Sequence, residues 1–509
     1  MSTGMSTGMS TGSLTILGLL PLLGSVALFL LPRQKEVLAK QVALAISTVV
    51  AVAGLAMAFS FDRGVTGFQF VEKYSWIPAF GINYGLGVDG MALLLILLAL
   101  ILTPIVILAC WNEAEGGRWS VKTFFALLLI LETMMIGVFA ATDIFLFYLF
   151  FEAMLIPVYF LIGGYGSGER AAAAVKFLLY SLFGGLLMLA SIIGLYVVSG
   201  DQLGAPTFDV TELQKLSLNN QTEILLFLGF FIAFAIKAPL WPFHTWLPDA
   251  AKAATPGTSV LLLGVLDKVG TYGMIRFCLT LFPDASKQLG PTIIVLSLIS
   301  IFYGAFLAIW QSNGDIKRLI SYTSISHFGF ITLGIFAFTA QGQSGSILYM
   351  VNHGFSTAAL FLIAGWMISR RNSSKVADFG GLQRVTPLLA WSFFIAGLSS
   401  LALPGLSSFV SEFLVLVGTF VHYPVAAVIG TLGIILAALY ILIPVQRALH
   451  GPVVPGNENL KDLNLREKIA IAPVIALIIA FGFFPQVLLN VINPGAAASV
   501  AALNIGGNK

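Results

Sequence analysis

Long, uninterrupted apolar stretches constrain the fold of this chain more than any other feature of its sequence. A helix of about 20 apolar residues is long enough to cross the hydrocarbon core of a bilayer. Such stretches recur along the 509 residues, and only 10% of the residues are charged, whereas a typical soluble protein has about 25%. The sequence therefore predicts an all-α polytopic membrane protein. A soluble enzyme, a nucleic-acid binder and a disordered chain are excluded, and the continuous runs argue against an outer-membrane barrel.

Fourteen spans can be placed on the sequence by this criterion. They lie near residues 14–31, 42–59, 91–111, 123–141, 145–163, 177–198, 224–237, 258–277, 293–309, 319–338, 347–368, 388–420, 424–445 and 468–490. Two of them do not fit one straight helix. The seventh is short and runs into Pro239 and Pro242, and the twelfth is about 33 residues long and contains Pro404. We therefore predict broken helices in spans 7 and 12.

The two broken spans suggest that the chain contains a structural repeat. Interrupted helices at corresponding positions of two halves are typical of transporters built from inverted repeats. Spans 4–8 (residues 123–277) and spans 9–13 (residues 293–445) would be five-helix units, and an odd number of helices inverts the second unit. Residues 14–122 would hold spans 1–3, and residues 446–509 a loop, span 14 and a C-terminal tail. The repeated MSTG motif predicts a disordered N-terminal tail over residues 1–13.

Lysine and arginine residues are unevenly distributed between the two predicted faces. With fourteen spans, 18 of the 26 Lys and Arg residues fall on one face, 6 fall on the other and two lie within spans. The face that is rich in positive charge is cytoplasmic in membrane proteins, which predicts both termini on the outer side. The same map places Cys110 near the inner face and Cys278 near the outer face, too far apart for a disulfide.

Seven ionisable residues remain inside the predicted spans. A charge at the bilayer centre costs at least about 2.5–3.5 kcal/mol, so each of them is a candidate for function. They are Glu132, Glu152, Lys237, Lys268, His327, His353 and Glu412. At about 1.5 Å of helix rise per residue, most of them lie near the midplane. We therefore predict a proton path that runs sideways at mid-depth, with separate entry and exit branches.

The chemistry of these groups favours proton transfer. If Lys237 is beside Glu152, the closed ion pair holds the lysine proton, and withdrawal of the carboxylate leaves a buried ammonium that releases it. Lys268 and His327 could relay that proton, and Glu412 could receive it. Histidine suits a relay because it titrates near neutrality.

Structural explanations also exist for the same residues. Glu152 and Lys237 could form a static ion pair, and Glu132 could be neutral and hydrogen-bonded at a helix contact. His327 and His353 could be packing residues bonded to nearby hydroxyls. A local pair of Lys268 with Asp267 is a weaker explanation, because adjacent residues on a helix point about 100° apart.

Several chemistries have no sequence signature. No CxxC motif or cysteine cluster is present for an iron–sulfur centre, and the five histidines have no metal-binding spacing. No phosphate-binding loop or dinucleotide fingerprint occurs. Any coupled redox or nucleotide chemistry would therefore belong to partner chains.

Four segments carry a family resemblance. They are IKAPLWPFHTWLPDAAKAATPGTSVLLLGVLDKVGTYGMIRF, FYLFFEAMLIPVYFLIGGYG, DIKRLISYTSISHFGF and LALPGLSSFVSEFLVL. These segments closely resemble the antiporter-like subunits of proton-pumping NADH-quinone oxidoreductase (complex I), and the resemblance extends over essentially the whole chain. Glu412 resembles the M-type members, because the L- and N-type members and the Mrp antiporter chains usually have lysine there.

The resemblance implies a role for six of the seven buried groups, all except Glu132. It makes Glu152 the pumping glutamate, Lys237 the central lysine, Lys268 the connecting lysine, His327 and His353 the relay histidines, and Glu412 the exit-side group. It implies inverted five-helix repeats and one proton per cycle, driven by quinone reduction elsewhere in the complex.

The resemblance also implies where the chain works and what surrounds it. Its neighbours would be L-type and N-type subunits in a bacterial inner membrane. NADH, FMN, iron–sulfur clusters and quinone would belong to partner subunits, with no cofactor on this chain. The alternative within the resemblance is a subunit of a multi-chain Mrp-type cation/proton antiporter.

Overall fold

The computed structural model describes residues 12–503, and helices make up most of that range. Within it, eleven helices are long and apolar enough to cross a membrane, or twelve if one bent pair counts as a single span. This confirms a polytopic α-helical membrane protein. Two of the predicted spans fall outside that number because their helices are short or polar. Span 12 is divided into two helices of 14 and 16 residues. The helix of span 10 begins at Ile316, before the predicted start, and carries Lys317, Arg318 and His327.

The elements follow one another in a simple order. The first half contains α1 (Ser13–Leu30), α2 (Glu36–Phe59), β1 (Gln69–Ile77), β2 (Ile82–Val88), α3 (Gly90–Ala109), α4 (Val121–Ala140), α5 (Ile144–Ala153), α6 (Leu155–Tyr165), α7 (Arg170–Leu203), α8 (Val210–Leu213) and α9 (Asn220–Lys237). The second half contains α10 (Trp246–Ala253), α11 (Pro256–Leu261), α12 (Lys268–Gly273), α13 (Leu279–Leu281), α14 (Pro283–Trp310), α15 (Ile316–Ile335), α16 (Ala340–Arg371), α17 (Leu382–Val385), α18 (Pro387–Ser400), α19 (Ser407–His422), α20 (Pro424–Leu449), α21 (Leu465–Phe483) and α22 (Gln486–Ala502). Two π turns, Leu262–Leu266 and Met274–Cys278, join α11, α12 and α13 into one span.

Both predicted helix interruptions are present. Helix α9 ends at Lys237, and the next helix does not begin until Trp246. Helix α18 ends at Ser400 and α19 begins at Ser407, with Pro404 in the turn between them. Proline lacks the backbone N–H that an intact helix requires. Each interruption thus puts free backbone groups beside one of the predicted site residues.

Two spans lie at the centre of the bundle. Every residue in the apolar windows of Pro256–Leu281 and of α16 is buried, whereas only a third of the residues in those of α1, α2 and α20 are buried. Lys268 belongs to the first central span and His353 to the second. Their ionisable groups are therefore surrounded by protein rather than by lipid, which is the usual place for charges within a membrane.

A β-hairpin between α2 and α3 was not predicted from the sequence. Strands β1 and β2 pair antiparallel, with Tyr74 opposite Tyr84. Lys73 on β1 forms a 2.6 Å ion pair with Asp209, which lies just before α8. Burial opposes ionisation of Asp209, but the hydrogen bonds from Lys73 and Thr211 outweigh it and lower the pKa of that carboxyl. The hairpin is thus tied to the loop after α7.

The C-terminal region differs from the prediction. Span 14 was expected as one helix near residues 468–490, but α21 and α22 meet at a bend of 68°. The bend falls at Phe484 and Pro485, where proline interrupts the helical hydrogen bonds. Helix then continues to Ala502, so the expected tail is helical up to that residue. Residues 1–11 of the predicted N-terminal tail and residues 504–509 lie outside the described residues, and Ser13 already begins α1.

Candidate functional site: a buried chain of titratable groups

Lys268 is the most fully connected of the buried ionisable groups. It is fully buried, and its Nζ lies 2.5 Å from the Leu263 carbonyl oxygen, 2.8 Å from Asp267 Oδ1 and 2.8 Å from His353 Nδ1. The local pair with Asp267, which the sequence analysis considered a weak explanation, does form, but the contact with His353 shows that the pair is not purely local. The π turn ends at Asp267, and the flexible lysine side chain folds back over that turn far enough to meet the carboxylate.

His353 continues the chain of contacts into the second half of the protein. Its Nε2 lies 3.1 Å from Thr357 Oγ1, and its ring centroid lies 5.2 Å from that of His327. His327 Nε2 lies 2.9 Å from the Tyr440 hydroxyl. Titratable side chains thus follow one another from Lys268 to Tyr440, at neighbouring positions on four different helices. This brings together three of the seven predicted residues.

Tyr440 was missed by the sequence analysis. It lies on α20 with no measurable exposure, in a stretch of apolar residues. A tyrosine in an apolar span is usually assigned to packing, so nothing local marks it. Its hydroxyl can both accept and donate a hydrogen bond, which is what a proton relay requires.

Glu412 lies on α19, the helix that follows the second interruption. It is buried, five residues after Ser407, the first residue of that helix. The Tyr349 ring lies 5.8 Å from that of His327, and its hydroxyl has no hydrogen-bond partner within residues 12–503. Within the described residues, no hydrogen bond or ion pair joins Glu412 to the histidines or to Tyr440. Its place at the end of the relay stays a prediction.

A cluster of small polar side chains lines the interruption before Glu412. Asn352 Nδ2 donates to the Ser407 carbonyl oxygen at 2.6 Å and contacts Ser411 Oγ at 3.2 Å. Ser356 and Ser399 are joined by a 2.6 Å contact between their hydroxyls. One of these contacts reaches the backbone at the start of α19, and together the side chains form a buried polar patch beside α16.

Glu152 and Lys237 are not in contact in this structure, whereas the sequence analysis considered a closed ion pair between them as one state of a switch. Within the described residues, no nitrogen–oxygen pair within 4.0 Å joins them, and neither Lys237 Nζ nor Glu152 Oε1 has a hydrogen-bond partner. The lysine ammonium instead lies 4.9 Å from the Phe151 ring centroid and 5.7 Å from that of Phe177.

A glycine makes room for the Glu152 carboxyl group. A Cβ built on Gly185 of α7 would lie 1.6 Å from Glu152 Oε1 and 2.6 Å from its Cδ. Any larger residue at this position would overlap the carboxylate. Gly185 thus leaves the space that the Glu152 carboxyl group occupies in this structure, and nothing in the sequence pattern of α7 marked it.

Glu132 remains isolated from the other six predicted residues. It is fully buried on α4, and neither carboxylate oxygen has a hydrogen-bond partner in the part of the chain that the structure describes. A helix contact that satisfies a neutral Glu132 is therefore not present here. Its connection to the lateral path stays a prediction.

His244 is a second residue that the sequence analysis missed. It lies in the break between Lys237 and α10, it is 3% exposed, and its ring packs against Tyr303 at 4.9 Å. Its Nδ1 has no hydrogen-bond partner among residues 12–503. A histidine within the interruption of a span was the signal that could have identified it.

A polar cavity of about 630 Å³ opens beyond α10. Asp249 is at its wall, forms a 2.8 Å ion pair with Lys176 and contacts Arg318. Burial opposes ionisation of Asp249, but these two cations outweigh it and lower the pKa of the carboxyl. Asp249 lies on α10, the helix that follows the interruption after Lys237, so the cavity is a candidate entrance to the path.

Comparisons with known proteins identify what this arrangement is similar to. The model of the NADH:quinone oxidoreductase/Mrp antiporter transmembrane family matches residues 141–437. A Mycobacterium tuberculosis protein named NADH-quinone oxidoreductase subunit M is 49% identical over 523 residues, which cover 96% of this chain and 94% of the relative. The protein of the same name from Rhodobacter capsulatus is 39% identical and covers 90% of each chain.

Two solved structures have the same fold. A chain of respiratory complex I from Thermus thermophilus with bound NADH superposes with a TM-score of 0.86 at 30% identity, covering 96% of this chain and 99% of that one. A chain of the Mrp complex from Dietzia sp. DQ12-45-1b superposes with a TM-score of 0.84 at 20% identity, covering 97% and 100%. At that identity, the likeness to the Mrp chain concerns the fold alone.

Proposed function

Because this chain belongs to the NADH:quinone oxidoreductase/Mrp antiporter family, among the subunit M proteins of NADH-quinone oxidoreductase, we propose that its buried side chains carry protons. The chain is a membrane-arm subunit of a proton-translocating NADH-quinone oxidoreductase, and so part of an enzyme. NADH, FMN, iron–sulfur clusters and quinone are assigned to partner subunits in this proposal. The M-type relatives at 39–49% identity favour this function over the Mrp-type alternative.

One observation carries the proposal. The contacts from Lys268 through His353 and His327 to Tyr440 form an almost continuous route through the buried centre of the protein. A proton transfer needs donor and acceptor within hydrogen-bond reach or one water apart. All three steps between these four groups are direct contacts or neighbouring rings, and all of the groups are shielded from lipid. A purely structural role would not require titratable groups in succession.

The proposed cycle begins on the cytoplasmic side. A proton enters from the cavity at Asp249, passes His244 and reaches Lys237. Quinone reduction elsewhere in the complex moves Glu152 relative to Lys237, and loss of the ion pair releases the lysine proton. The proton then reaches Lys268, crosses the histidines and Tyr440, and leaves by way of Glu412. Glu132 is assigned to the same relay, at its edge.

The separation of Glu152 and Lys237 in this structure corresponds to one stage of this cycle, in which the ion pair is open. With Glu152 held against Gly185, the Lys237 ammonium has only the faces of Phe151 and Phe177 as partners. Cation–π contacts stabilise a cation by about 0.5–2 kcal/mol. A carboxylate is a much stronger partner for an ammonium group than an aromatic ring is. Movement of Glu152 towards Lys237 would therefore make the lysine bind its proton more tightly.

The same proposal includes a topology. We assign fourteen spans, with inverted repeats over residues 123–277 and 293–445, after spans 1–3 (residues 14–122) and before residues 446–509. The two interruptions, after Lys237 and before Ser407, support this because they recur at corresponding positions. Both termini are assigned to the outer side of a bacterial inner membrane, with L-type and N-type neighbours.

Replacement of either member of the separated pair tests the function. We expect Lys237→Ala and Glu152→Ala complexes to assemble and to translocate fewer protons per quinone reduced, because the switch is missing one of its charges. The measurement is the proton-to-electron ratio of the whole complex in proteoliposomes. Lys215→Ala is the matched control, since Lys215 is exposed and pairs only with Glu212 three residues away. Full proton pumping at the full quinone reductase rate in both variants would end the proposal.

Tyr440→Phe tests the relay beyond the histidines. Phenylalanine keeps the ring packing and removes the hydroxyl that contacts His327. We expect proton translocation to fall about two- to tenfold, the equivalent of roughly one hydrogen bond of ~1 kcal/mol. Tyr196→Phe is the control, because Tyr196 stacks on Phe208 away from the path. An unchanged proton-to-electron ratio in Tyr440→Phe would remove Tyr440 from the relay.

A further inference from the structure

A second cavity, which shares no lining residue with the proton path, lies at the inner ends of α1 and α4 and beside α6. It encloses about 580 Å³, and its wall includes Arg33, Arg118, Trp119, Leu127 and Phe160. No aspartate or glutamate lines it among residues 12–503. The part of its wall formed by the two arginines is therefore cationic, and the part formed by Leu127 and Phe160 is apolar.

The two arginines are free to bind an anion. Neither guanidinium has an ion-pair partner within the described range, and that of Arg118 lies 5.5 Å from the Trp119 ring centroid. The neighbouring Lys122 is already engaged, because it donates to the carbonyl oxygens of Phe29 and Leu31 at the end of α1. Two unpaired guanidiniums around one cavity match the forked geometry that recognises a phosphate.

Trp119 is held rigidly at the mouth of this cavity. Its ring lies directly over Gly164, where an added Cβ would come within 2.0 Å of Trp119 Cζ3, and it packs edge-to-face on Phe160 at 5.5 Å. A tryptophan next to the end of a membrane-spanning helix, as Trp119 is to α4, is typical of the headgroup level of a bilayer. The mouth of the cavity therefore lies where phospholipid phosphates lie.

The apolar part of the cavity wall extends into the hydrocarbon layer. Leu127 is six residues into α4 from Val121, or about 9 Å deeper. Phe160 and Phe29 are 39% and 45% exposed on the outer surface of the bundle, beside the cavity. An apolar wall of this depth matches an acyl chain. An acidic protein segment would leave its backbone groups without hydrogen bonds there.

From this combination we propose that the cavity binds one anionic phospholipid, with its phosphate between Arg33 and Arg118 and an acyl chain along Leu127 and Phe160. The ligand class is a glycerophospholipid with a net negative headgroup, such as phosphatidylglycerol. The site holds α1 against α4 and α6 at the inner face. It is independent of the proton path, which shares none of these residues.

Photolabelling of the purified complex tests this site. A phosphatidylglycerol with a diazirine in its acyl chain is added to the whole complex, and labelled peptides are located by mass spectrometry. We expect labels near Leu127 and Phe160, and roughly tenfold or greater loss in Arg33→Gln/Arg118→Gln, because each basic residue contributes about one kcal/mol near a membrane surface. Arg384→Gln/Lys461→Gln removes two exposed charges elsewhere and should label like the parent.

Two further probes distinguish an anionic phospholipid from a neutral phospholipid and from free phosphate. A phosphatidylcholine probe of the same chain length should label the site less, and inorganic phosphate should not compete with the phosphatidylglycerol probe. Equal labelling of parent and double arginine variant would overturn the proposal, as would equal labelling by the two lipids or full competition by free phosphate. A photocrosslink from position 160 to a neighbouring subunit, with no lipid label, would also overturn it.

Discussion

Lys268→Met is expected to remove proton translocation through this chain and to destabilise it. The ammonium contacts both His353 and Asp267 at 2.8 Å, so methionine, which has a similar length and no charge, breaks the relay at its best-connected member. It also leaves the Asp267 carboxylate buried without its partner. Breaking a buried pair in this way costs about 3–5 kcal/mol. The measurements are the proton-to-electron ratio and the thermal unfolding of the complex.

A double variant separates the two effects. Asp267→Asn in the Lys268→Met background removes the uncompensated charge, so most of the lost stability should return while proton translocation stays absent. Asp267→Asn alone leaves the lysine with His353 and the Leu263 carbonyl, and it should translocate at an intermediate rate. A double variant that regained full translocation would show that Lys268 acts only as the counter-ion of Asp267.

Gly185→Ala is expected to impair translocation strongly while leaving the helix stable. The new methyl group would come within 1.6 Å of Glu152 Oε1, so the carboxyl must leave its present position. Glu152 would then lose one of the two places between which we propose it moves, and translocation should fall nearly as far as in Glu152→Ala. Alanine itself favours α-helix over glycine by about 0.8–1.0 kcal/mol, so α7 should not be weakened. The measurements are the proton-to-electron ratio and the thermal stability.

The control for this prediction is another glycine within a helix. A Cβ on Gly163 of α6 would meet Ala174 Cβ at 3.5 Å, an ordinary packing distance. Gly163→Ala should therefore translocate protons at the parental rate. If Gly185→Ala also did so with unchanged stability, the position of Glu152 against Gly185 would have no part in the cycle.

The membrane spans and their interruptions were predictable because both depend on local properties of the chain. Apolar length decides whether a segment can cross a bilayer, and the prolines after Lys237 and before Ser407 decide where a helix must stop. The bend at Pro485 was missed although it has the same cause, because the apolar pattern continues across it. The hairpin before α3 was missed because its residues are neither continuously apolar nor clearly periodic.

The buried ionisable residues were identified from the sequence alone, since a charge within an apolar span is costly wherever its partners are. Their contacts depended on the tertiary structure. His327 and Tyr440 are 113 residues apart and Lys268 and His353 are 85 apart, so no local pattern could join them. The space that Gly185 leaves for Glu152, and the distance that separates Glu152 from Lys237, likewise arise only when α5, α7 and α9 pack together. The sequence determined which residues are buried at a cost, and helix packing decided which of them meet.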